Sequence, residues 1–322
     1  MKNLTRRMVA LVLFLWLIPQ SAAAAQCLVP VGQAIGLSLH NDTVTIAAID
    51  ETLGSAAKEA GLLAGDQIIA IDDQQISNAE DVRDALKCSD GIVTLQLRRG
   101  KKDLTVKLEP QITSAGPKLG VYLKEGVTGV GTVTWYDPDT GCFGALGHGV
   151  NVPSGTLVSM DGGTAFNANI ASVKRGKSGS PGQLLGALDG TQPIGTLYRN
   201  TVQGVFGKAD IRFSGTQLPV CDTEDIHCGN ATILSTVTGN TPQEYSVEIL
   251  KVYPHSGQDG RNMLLRVTDP QLLDRTGGIV QGMSGSPIIQ DGKLVGAVTH
   301  VLVNDPTTGY GIFIENMLDA AA

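Results

Sequence analysis

The chain has 322 residues, of which 42% are hydrophobic, 17% charged and 4% aromatic. This length accommodates two domains or three small ones, and the hydrophobic content is sufficient for a core and argues against a disordered chain. The net charge of -7 argues against nucleic acid as a partner, because no basic stripe is available to neutralise phosphates.

Residues 1–25 predict a targeting segment. Lys2, Arg6 and Arg7 precede an apolar run over residues 8–18, and the small residues of "QSAAAAQ" follow as a cleavage site. The run is short for a membrane-spanning helix. We therefore expect an exported protein with a cleaved signal peptide, and a retained N-terminal membrane anchor is the alternative.

Residues 32–110 predict a small α/β domain. The strands "AIGLSL" and "VTIAAI" come first, and "SAAKEAGLLAGDQIIAIDD" reads as a short helix, a glycine turn and a strand. Asn78 is expected to cap a helix over "AEDVRDALK", with Asp81 at its third position as in a capping box. "GIVTLQLRRG" and "KKDLTVKLEP" alternate with period two and predict a hairpin at residues 99–101.

This segment resembles a PDZ domain of the kind attached to exported bacterial proteases. The stretches that carry the resemblance are "AGLLAGDQIIAID" and "IGL". The resemblance implies that the backbone N–H groups of Ile35, Gly36 and Leu37 hold a peptide carboxylate, and that the peptide adds a strand to the sheet edge. The alternative is a small mixed domain without a ligand.

The rest of the chain predicts a linker followed by β structure. Residues 111–119, "QITSAGPKL", contain Gly, Pro and Ser without periodicity. From residue 120 to 319, short apolar runs such as "GVGTVTWYD", "EYSVEILKVY" and "NMLLRVTD" are separated by turn residues, and helical periodicity is almost absent until the end. Runs of this kind predict an antiparallel barrel or sandwich, and two barrels fit the length.

Five cysteines occur in the chain, and two of them lie close together in "CDTEDIHC". Cys221 and Cys228 are near enough in sequence for a local disulfide. His227 lies between them, but two cysteines and one histidine without a fourth nearby ligand make a poor zinc site. We expect a surface loop here, and neither a metal nor another cofactor in the protein.

The pattern G-x-S-G-S-P occurs twice, around Ser178 and around Ser284. A serine that attacks an amide needs a base, an acid that orients the base, and donors for the oxyanion. His148, in "ALGHGV", follows an apolar strand and precedes both serines. Ser178 follows it by 30 residues, too few to complete one barrel and enter another, whereas Ser284 follows it by 136. Ser284 is therefore the candidate nucleophile.

The surroundings of Ser284 also favour it over Ser178. "GGIVQG" precedes it and "PIIQDGKLVGAVTH" follows, so its loop is expected on a rigid β scaffold where the N–H groups of Gly282 and Ser284 form an oxyanion hole. Ser178 lies in a charged, glycine-rich loop and is expected to be structural. Ser286 aligns with the small residue before proline, and we expect an ordinary turn residue there.

The spacing of the sequence does not select the acid. Asp269 ends a predicted strand fifteen residues before Ser284, and Asp274 lies near it. Asp161 and Asp210 are further candidates from the earlier part of the chain. An aspartate before a proline is usually a turn former, which applies to Asp269.

A second resemblance covers the whole chain after the targeting segment. The PDZ-like unit, "LGHG" and "TGGIVQGMSGSPIIQDGKLVGAVTHVLVNDPTTGYGIFIENML" together resemble the SpoIVB peptidase family of endospore-forming bacteria. The resemblance implies a mainly β protein, with a small α/β PDZ domain followed by a chymotrypsin-like double β-barrel serine peptidase domain. It implies a serine endopeptidase without a cofactor, whose catalytic residues are His148, Asp269 and Ser284. The resemblance alone selects Asp269.

The resemblance also implies a pathway. Members are exported from the forespore into the space between the two forespore membranes. There they cleave a membrane-associated regulator of an intramembrane protease, which then activates a late mother-cell sigma factor. The PDZ domain would target the substrate or the peptidase itself. Two alternatives are a non-catalytic scaffold that binds peptide termini, and a quality-control protease of the HtrA type, in which the PDZ domain normally follows the protease.

His300 supports one further hypothesis. It ends "LVGAVTH", sixteen residues after Ser284. In several two-barrel proteases a histidine on this strand lines the first specificity pocket and favours Glu or Gln before the cut, and we expect the same use here. The alternative is a strand-end histidine that a neighbour satisfies.

Overall fold

The computed structural model describes residues 26–152, 155–254 and 260–322. The predicted targeting segment, residues 1–25, lies outside the described residues. In the described parts of the chain, no helix is long and apolar enough to cross a membrane. The fold is mainly β, as the sequence predicts.

The elements follow in chain order. The strands of the described residues are β1 (Cys27–Pro30), β2 (Ala34–Ile49), β3 (Gln67–Ile71), β4 (Gln74–Gln75), β5 (Val93–Arg99), β6 (Lys102–Leu108), β7 (Gln111–Thr113), β8 (Gly116–Lys118), β9 (Val121–Tyr136), β10 (Cys142–Ala145), β11 (Gly163–Lys174), β12 (Gln183–Thr201), β13 (Gly204–Ala209), β14 (Leu218–Pro219), β15 (Gly229–Ser235), β16 (Gln243–Val252), β17 (Met263–Val267), β18 (Pro287–Gln290), β19 (Lys293–Leu302) and β20 (Asp305–Phe313). The helices are α1 (Ser55–Glu59), α2 (Ala79–Lys87), α3 (Pro270–Thr276) and α4 (Ile314–Ala321), with a 3-10 turn at Thr223–Asp225.

Two closed barrels make up the larger part of the molecule. In the first barrel the strand order is β9-β10-β13-β12-β11-β2, and pairing of β2 with β9 closes the ring. The second barrel has the order β15-β16-β17-β20-β19-β18. The predicted double β-barrel is confirmed.

Each barrel encloses an apolar core, because alternate side chains of every strand point inward. The first core includes Leu37, Val133, Phe143, Leu197 and Val205. The second includes Ile233, Val247, Leu265, Ile288 and Val298. The helix α4 closes the seam between the barrels, where its buried Ile314 and Met317 pack with Trp135, Phe206 and Leu294.

The PDZ unit is a sheet covered by two helices. Its strand order is β9-β2-β3-β5-β6, and its core includes Leu62, Leu86 and Leu95. The predicted capping box is present: Asn78 accepts the N–H of Asp81, and the Asp81 carboxylate accepts the N–H of Asn78. The predicted hairpin is also present, with Arg99 paired to Lys102.

The boundary between the PDZ unit and the barrels differs from the predicted division at residues 110 and 120. Residues 34–39 pair with β9 and β11 in the first barrel. The predicted linker, residues 111–119, forms the β7–β8 hairpin and the entry to β9. Because β2 and β9 are each 16 residues long and run from the PDZ sheet into the barrel, a paired ribbon joins the two units.

The cysteine pair of "CDTEDIHC" consists of two thiols. The Cys221 sulfur lies 3.5 Å from the carbonyl oxygen of Asp222, and the Cys228 sulfur lies 3.4 Å from that of Leu250. His227 contacts Asp291 at 2.9 Å. Across the described residues, no cluster of His, Cys, Asp or Glu is arranged to hold a metal ion.

Candidate active site

A cavity of about 530 Å³ lies between the two barrels. The first barrel contributes Gly129 and Val130 of β9 and the loop that carries His148, whereas the second contributes Ser284 and His300. The structure therefore brings the predicted base, nucleophile and specificity residue to one cavity.

Local backbone geometry directs His148 into this cavity. At the end of β10, Leu146 and Gly147 have φ of 70° and 68°, so the chain leaves the strand through two left-handed residues. A Cβ on Gly147 would lie 2.9 Å from the Thr299 side chain, and one on Gly149 would lie 2.5 Å from the Thr201 carbonyl oxygen. The glycines on both sides of His148 are therefore required by the close approach of neighbouring strands.

The His148 ring is half-buried and suited to act as a base. Its Nδ1 lies 3.0 Å from the carbonyl oxygen of Gly149, and its ring centroid lies 5.3 Å from that of His300. Burial lowers the pKa of His148 below its ordinary value, and the Gly149 contact opposes this in part. The imidazole is consequently neutral near pH 7, which is the form that accepts a proton.

The loop that carries Ser284 is held by the first barrel. The Thr132 hydroxyl donates to the Gly282 carbonyl oxygen at 2.9 Å, and the Thr132 N–H donates to the Ser284 carbonyl oxygen at 3.0 Å. Gly282 and Gly285 have φ of 100° and 96°. A Cβ on Gly285 would lie 2.1 Å from the Thr132 carbonyl oxygen, so a side chain there would displace the loop.

Two N–H groups of this loop take no part in the backbone hydrogen bonds that fix it in the described residues. The N–H of Met283 donates to Val280 at 3.1 Å, and that of Gly285 donates to Val298 at 2.8 Å. Among the described residues, the N–H groups of Gly282 and Ser284 make no such bond. They are the donors that the sequence predicts for an oxyanion hole.

The Ser284 hydroxyl is hydrogen-bonded to the second barrel, on the side that lines the cavity. Its Oγ donates to the Thr299 carbonyl oxygen at 2.8 Å. Ser286 is at the expected turn, where its N–H donates to the Met283 carbonyl oxygen at 2.9 Å, and its buried Oγ lies 3.0 Å from that of Ser235. Ser284 is the serine of this loop that reaches the cavity.

The first serine copy supports the cavity from outside. Ser178 is exposed, and its Oγ donates to the Asn304 carbonyl oxygen at 2.8 Å. Its loop ends at Pro181, which lines the cavity, and at Gly182, whose carbonyl oxygen accepts the Gln281 N–H at 2.9 Å. The Ser178 loop is therefore hydrogen-bonded to the segment that leads to Ser284, in agreement with a structural role.

A family model described as SpoIVB peptidase S55 matches residues 116–318, and a PDZ model matches residues 51–99. The chain belongs to the SpoIVB peptidase family. It is a serine peptidase that carries a PDZ domain.

Individual proteins are similar to parts of this SpoIVB peptidase. A mitochondrial serine protease HTRA2 of Bos taurus is 39% identical over 61 residues, which are 19% of this chain and 13% of that protein. The PDZ domain of an SdrC-like protein of Listeria monocytogenes covers 26% of this chain and 87% of its own, with 22% identity and a TM-score of 0.22. The active form of the Rv3671c protease of M. tuberculosis covers 60% of this chain and 73% of its own, with 15% identity and a TM-score of 0.36.

Asp269 makes no hydrogen bond with His148 in this structure, so the geometry does not support its assignment as the acid. It is the N-cap of α3, where one carboxylate oxygen accepts the N–H groups of Gln271 and Leu272 at 2.9 and 3.0 Å. The other oxygen accepts the N–H of Ser246 at 3.3 Å. The carboxylate is therefore used to start a helix.

The position of Asp269 in the second barrel explains this result. β17 begins near Gly260, whose Cβ position lies 3.4 Å from the Gly147 carbonyl oxygen at the cavity, and Asp269 follows the opposite end of the strand. Five residues of strand span about 13 Å. Among the described residues, no aspartate or glutamate lines the cavity, and Asp274 faces Arg175 on the surface at 3.9 Å.

We expect Asp269→Ala to lower the free energy of unfolding by about 1 kcal/mol, because it removes the cap of α3. The same change should alter kcat by less than about threefold, whereas loss of the aspartate of a true triad lowers kcat about 10⁴-fold. Urea unfolding and peptide hydrolysis measure the two effects. The exposed Asp274→Ala is the matched control, and a kcat loss of several orders of magnitude in a stable Asp269→Ala protein would contradict the cap role.

The predicted carboxylate loop, Ile35, Gly36 and Leu37, is also corrected. Both edges of this segment are occupied, since it pairs with β9 on one side and β11 on the other. Ile35 and Leu37 are buried in the first barrel. No row of free N–H groups remains there for a peptide.

Another glycine turn lies at the entry to β9. Gly120 has φ of 72°, and a Cβ there would lie 2.1 Å from the Leu53 carbonyl oxygen. The chain turns at this glycine, between the buried Leu119 and the half-buried Val121, and then forms the outer strand of the PDZ sheet. The sequence signal for this turn was a second glycine directly before an alternating strand, in "PKLGVYL".

Proposed function

We propose that this SpoIVB peptidase is an exported endopeptidase in which Ser284 is the nucleophile and His148 the general base. The observation that carries the proposal is the cavity between the barrels, which His148 and Ser284 line together with Gly282. The N–H groups of Gly282 and Ser284 would stabilise the oxyanion of the tetrahedral intermediate.

The contacts of His148 and Ser284 suggest the order of events. A proton on Nδ1 of His148 donates to the Gly149 carbonyl oxygen, and this tautomer leaves Nε2 as the base. In this proposal, rotation about χ1 of Ser284 would take its hydroxyl from the Thr299 carbonyl oxygen, which it contacts in the structure, toward Nε2. Oγ then attacks the peptide carbonyl carbon as Nε2 takes its proton, and His148 returns the proton to the leaving amine. Water releases the acyl group by the same route.

His300 supports a role in substrate selection. It lines the cavity together with Val301 and Val303, close to His148. A histidine at this place can donate a hydrogen bond to the side chain of the residue before the cut. A preference for Glu or Gln at that residue stays a prediction from the sequence.

We further propose that the PDZ unit binds a peptide C-terminus at the outer edge of β9. The N–H of Ile46 donates to Asp66 at 2.8 Å and its carbonyl oxygen accepts the Gly65 N–H at 2.8 Å, so both groups point away from β9. Leu123, which is opposite Ile46, is therefore in a non-hydrogen-bonded pair with its N–H and C=O on the outer edge. Strand addition requires such an edge.

The PDZ unit also has a cavity with apolar side chains in its lining. This cavity of about 310 Å³ lies between the C-terminal end of α2 and the β7–β8 hairpin, and Leu86, Ile112 and Pro117 line it. Ile112 is 82% exposed, so this surface lacks a cover in the described residues. In this proposal, the cavity would accept an apolar C-terminal side chain.

The sporulation role is part of the same proposal. Family membership, the PDZ unit and the predicted export signal support a peptidase that acts in the intermembrane space of the forespore, anchored at the N-terminus if the signal is retained. Its protein substrate would be a membrane-associated regulator of an intramembrane protease, whose cleavage leads to a late mother-cell sigma factor. No nucleic acid partner is proposed.

A replacement strain tests this role. In a sporulating strain in which this chain replaces the resident family member, Ser284→Ala should abolish the cleavage product of the regulator and the transcripts that depend on the late sigma factor. Ser178→Ala is the matched control and should leave both at the level of the unmodified chain. Cleavage of the regulator in the Ser284→Ala strain would refute the proposed role.

The two alternative functions are less well supported. A non-catalytic scaffold does not need an open cavity with Ser284, His148 and unoccupied N–H groups. A quality-control protease of the HtrA type normally carries its PDZ domain after the protease, whereas here the PDZ unit is inserted between β2 and β9 of the first barrel.

A further inference from the structure

A single strand, β9 (Val121–Tyr136), passes both functional regions of the molecule. Its first residues form the outer strand of the PDZ sheet, and its Gly129 and Val130 line the catalytic cavity. The carboxylate loop and the nucleophile are therefore connected by one continuous strand edge.

The barrel half of this edge faces the cavity. The N–H of Thr132 donates to the Ser284 carbonyl oxygen at 3.0 Å, and its carbonyl oxygen accepts the Leu146 N–H at 3.1 Å. Since backbone groups alternate in direction along a strand, those of Val130 and Thr128 point to the same side. In the described residues, β2 pairs with the opposite edge, and no strand pairs with this side between residues 121 and 130.

The same edge of β9 is also unpaired where the strand lies in the PDZ sheet. The outward groups there belong to Leu123 and, by alternation, to Val121. The outward groups belong to even-numbered residues as far as Thr128 and to odd-numbered residues from Leu123. This change occurs at Gly126, whose φ of 68° introduces a bulge. The edge thus continues from one unit to the other with one irregularity.

We propose that the substrate binds as one strand antiparallel to β9, with its free C-terminus at the Gly120 loop and its scissile bond at Ser284. This inference rests on the proposed catalytic and PDZ sites. It implies that the enzyme selects the bond by its distance from the C-terminus, in protein segments that end in an extended, accessible tail.

The polarity of the bound chain follows from the two ends of β9. If the last residue of an antiparallel substrate lies opposite Val121, then earlier residues of the substrate lie opposite later residues of β9, as far as Val130. The PDZ unit therefore holds the part of the substrate that follows the cut. The carboxylate is held at the loop and the acyl half is held between Ser284 and His300.

The length of the edge sets the distance. Nine residues separate Val121 from Val130, which corresponds to about 30 Å of strand. The substrate residue opposite Val130 is then about nine residues before the substrate's C-terminus. The cut lies another one or two residues toward the substrate's N-terminus, at Ser284. The C-terminal product should be about 10 to 12 residues long. A peptide of suitable length occupies both sites at once, and this second contact should raise kcat/KM by about tenfold or more.

A mixture of random-sequence peptides of 25 residues tests the proposal whatever cleavage sequence the enzyme prefers. The complete enzyme digests the mixture to low conversion, and mass spectrometry records the length of each C-terminal product. We expect the lengths to cluster at about 10 to 12 residues. In the same mixture with amidated C-termini, cleavage should be at least about tenfold slower and the cluster should be absent.

Gly120→Ala is the protein-side variant, since its Cβ would meet the Leu53 carbonyl oxygen at 2.1 Å and distort the loop. It should remove the cluster from the free-acid mixture, and thermal unfolding checks that the protein is folded. Product lengths that follow sequence alone, and are equal for acid and amide, would overturn the proposal while leaving the peptidase function intact. Absence of any cleavage by the folded enzyme would refute the proposed function as well.

Discussion

Ser284→Ala is expected to lower kcat for peptide hydrolysis by a factor of about 10⁴ to 10⁶. Removal of the nucleophile from a serine protease leaves only the rate enhancement due to binding and the oxyanion donors. The backbone N–H of residue 284 remains, so substrate affinity should change little. Purified variants assayed with a fluorogenic peptide mixture measure the loss.

Ser178→Ala provides the matched control, because Ser178 occupies the same sequence pattern and its hydroxyl is bonded to Asn304 outside the cavity. Its kcat should stay within about twofold of the unmodified enzyme, since loss of one exposed hydrogen bond costs about 1 kcal/mol of stability or less. If Ser178→Ala were the inactive variant, the selection of Ser284 would be wrong.

His148→Ala should produce a second large loss, of about 10⁴-fold in kcat, since the base and the nucleophile act as a unit. His40→Ala is the control, because His40 is exposed on β2 and does not line the cavity. The double variant with Ser284→Ala should be no slower than Ser284→Ala alone. Additive losses would show that His148 acts independently of Ser284.

The pH profile of the unmodified enzyme tests the direction of the pKa shift of His148. Burial lowers the pKa of His148, so the neutral base should persist below pH 6.5 and the acid limb of kcat/KM should lie below that value. In this range the unfolded chain binds the proton more readily than the folded one, so stability should fall as the pH decreases below 6.5. An acid limb above pH 7 would contradict a buried base.

Local patterns predicted a large part of the molecule. The capping box at Asn78, the hairpin that pairs Arg99 with Lys102 and the barrel strands depend on neighbouring residues and on period-two alternation. The choice of Ser284 over Ser178 used the number of residues that separate each serine from His148. This argument depends on chain length alone, because one barrel must be completed before the chain enters the next.

The carboxylate loop was mispredicted because two segments satisfy the same local pattern. "IGLSL" and "LGVYL" both place a glycine before an alternating strand. Which of them forms the outer PDZ strand depends on how β2 and β9 pair over the whole chain, and this pairing buries Ile35 while leaving Leu123 at an edge. Local sequence contains no information on this long-range choice.

Asp269 was assigned through the family resemblance, and the local signal pointed elsewhere. An aspartate followed by proline and then by "QLLDRT" is a standard helix start, with Asp269 as N-cap and Pro270 at the first helical position. The residues that hold the nucleophile loop, Thr132 and the Thr299 carbonyl, carry no sequence pattern that distinguishes them from other strand residues.

Covalent labelling of Ser284 tests whether this side chain is a nucleophile activated in the cavity between the barrels. The folded protein is incubated with a fluorophosphonate, and peptide mapping locates the adduct. We predict one adduct, on Ser284, which persists in Ser178→Ala and disappears in both Ser284→Ala and His148→Ala. An adduct on Ser178, or no adduct on properly folded protein, would contradict the assignment of Ser284 as the nucleophile.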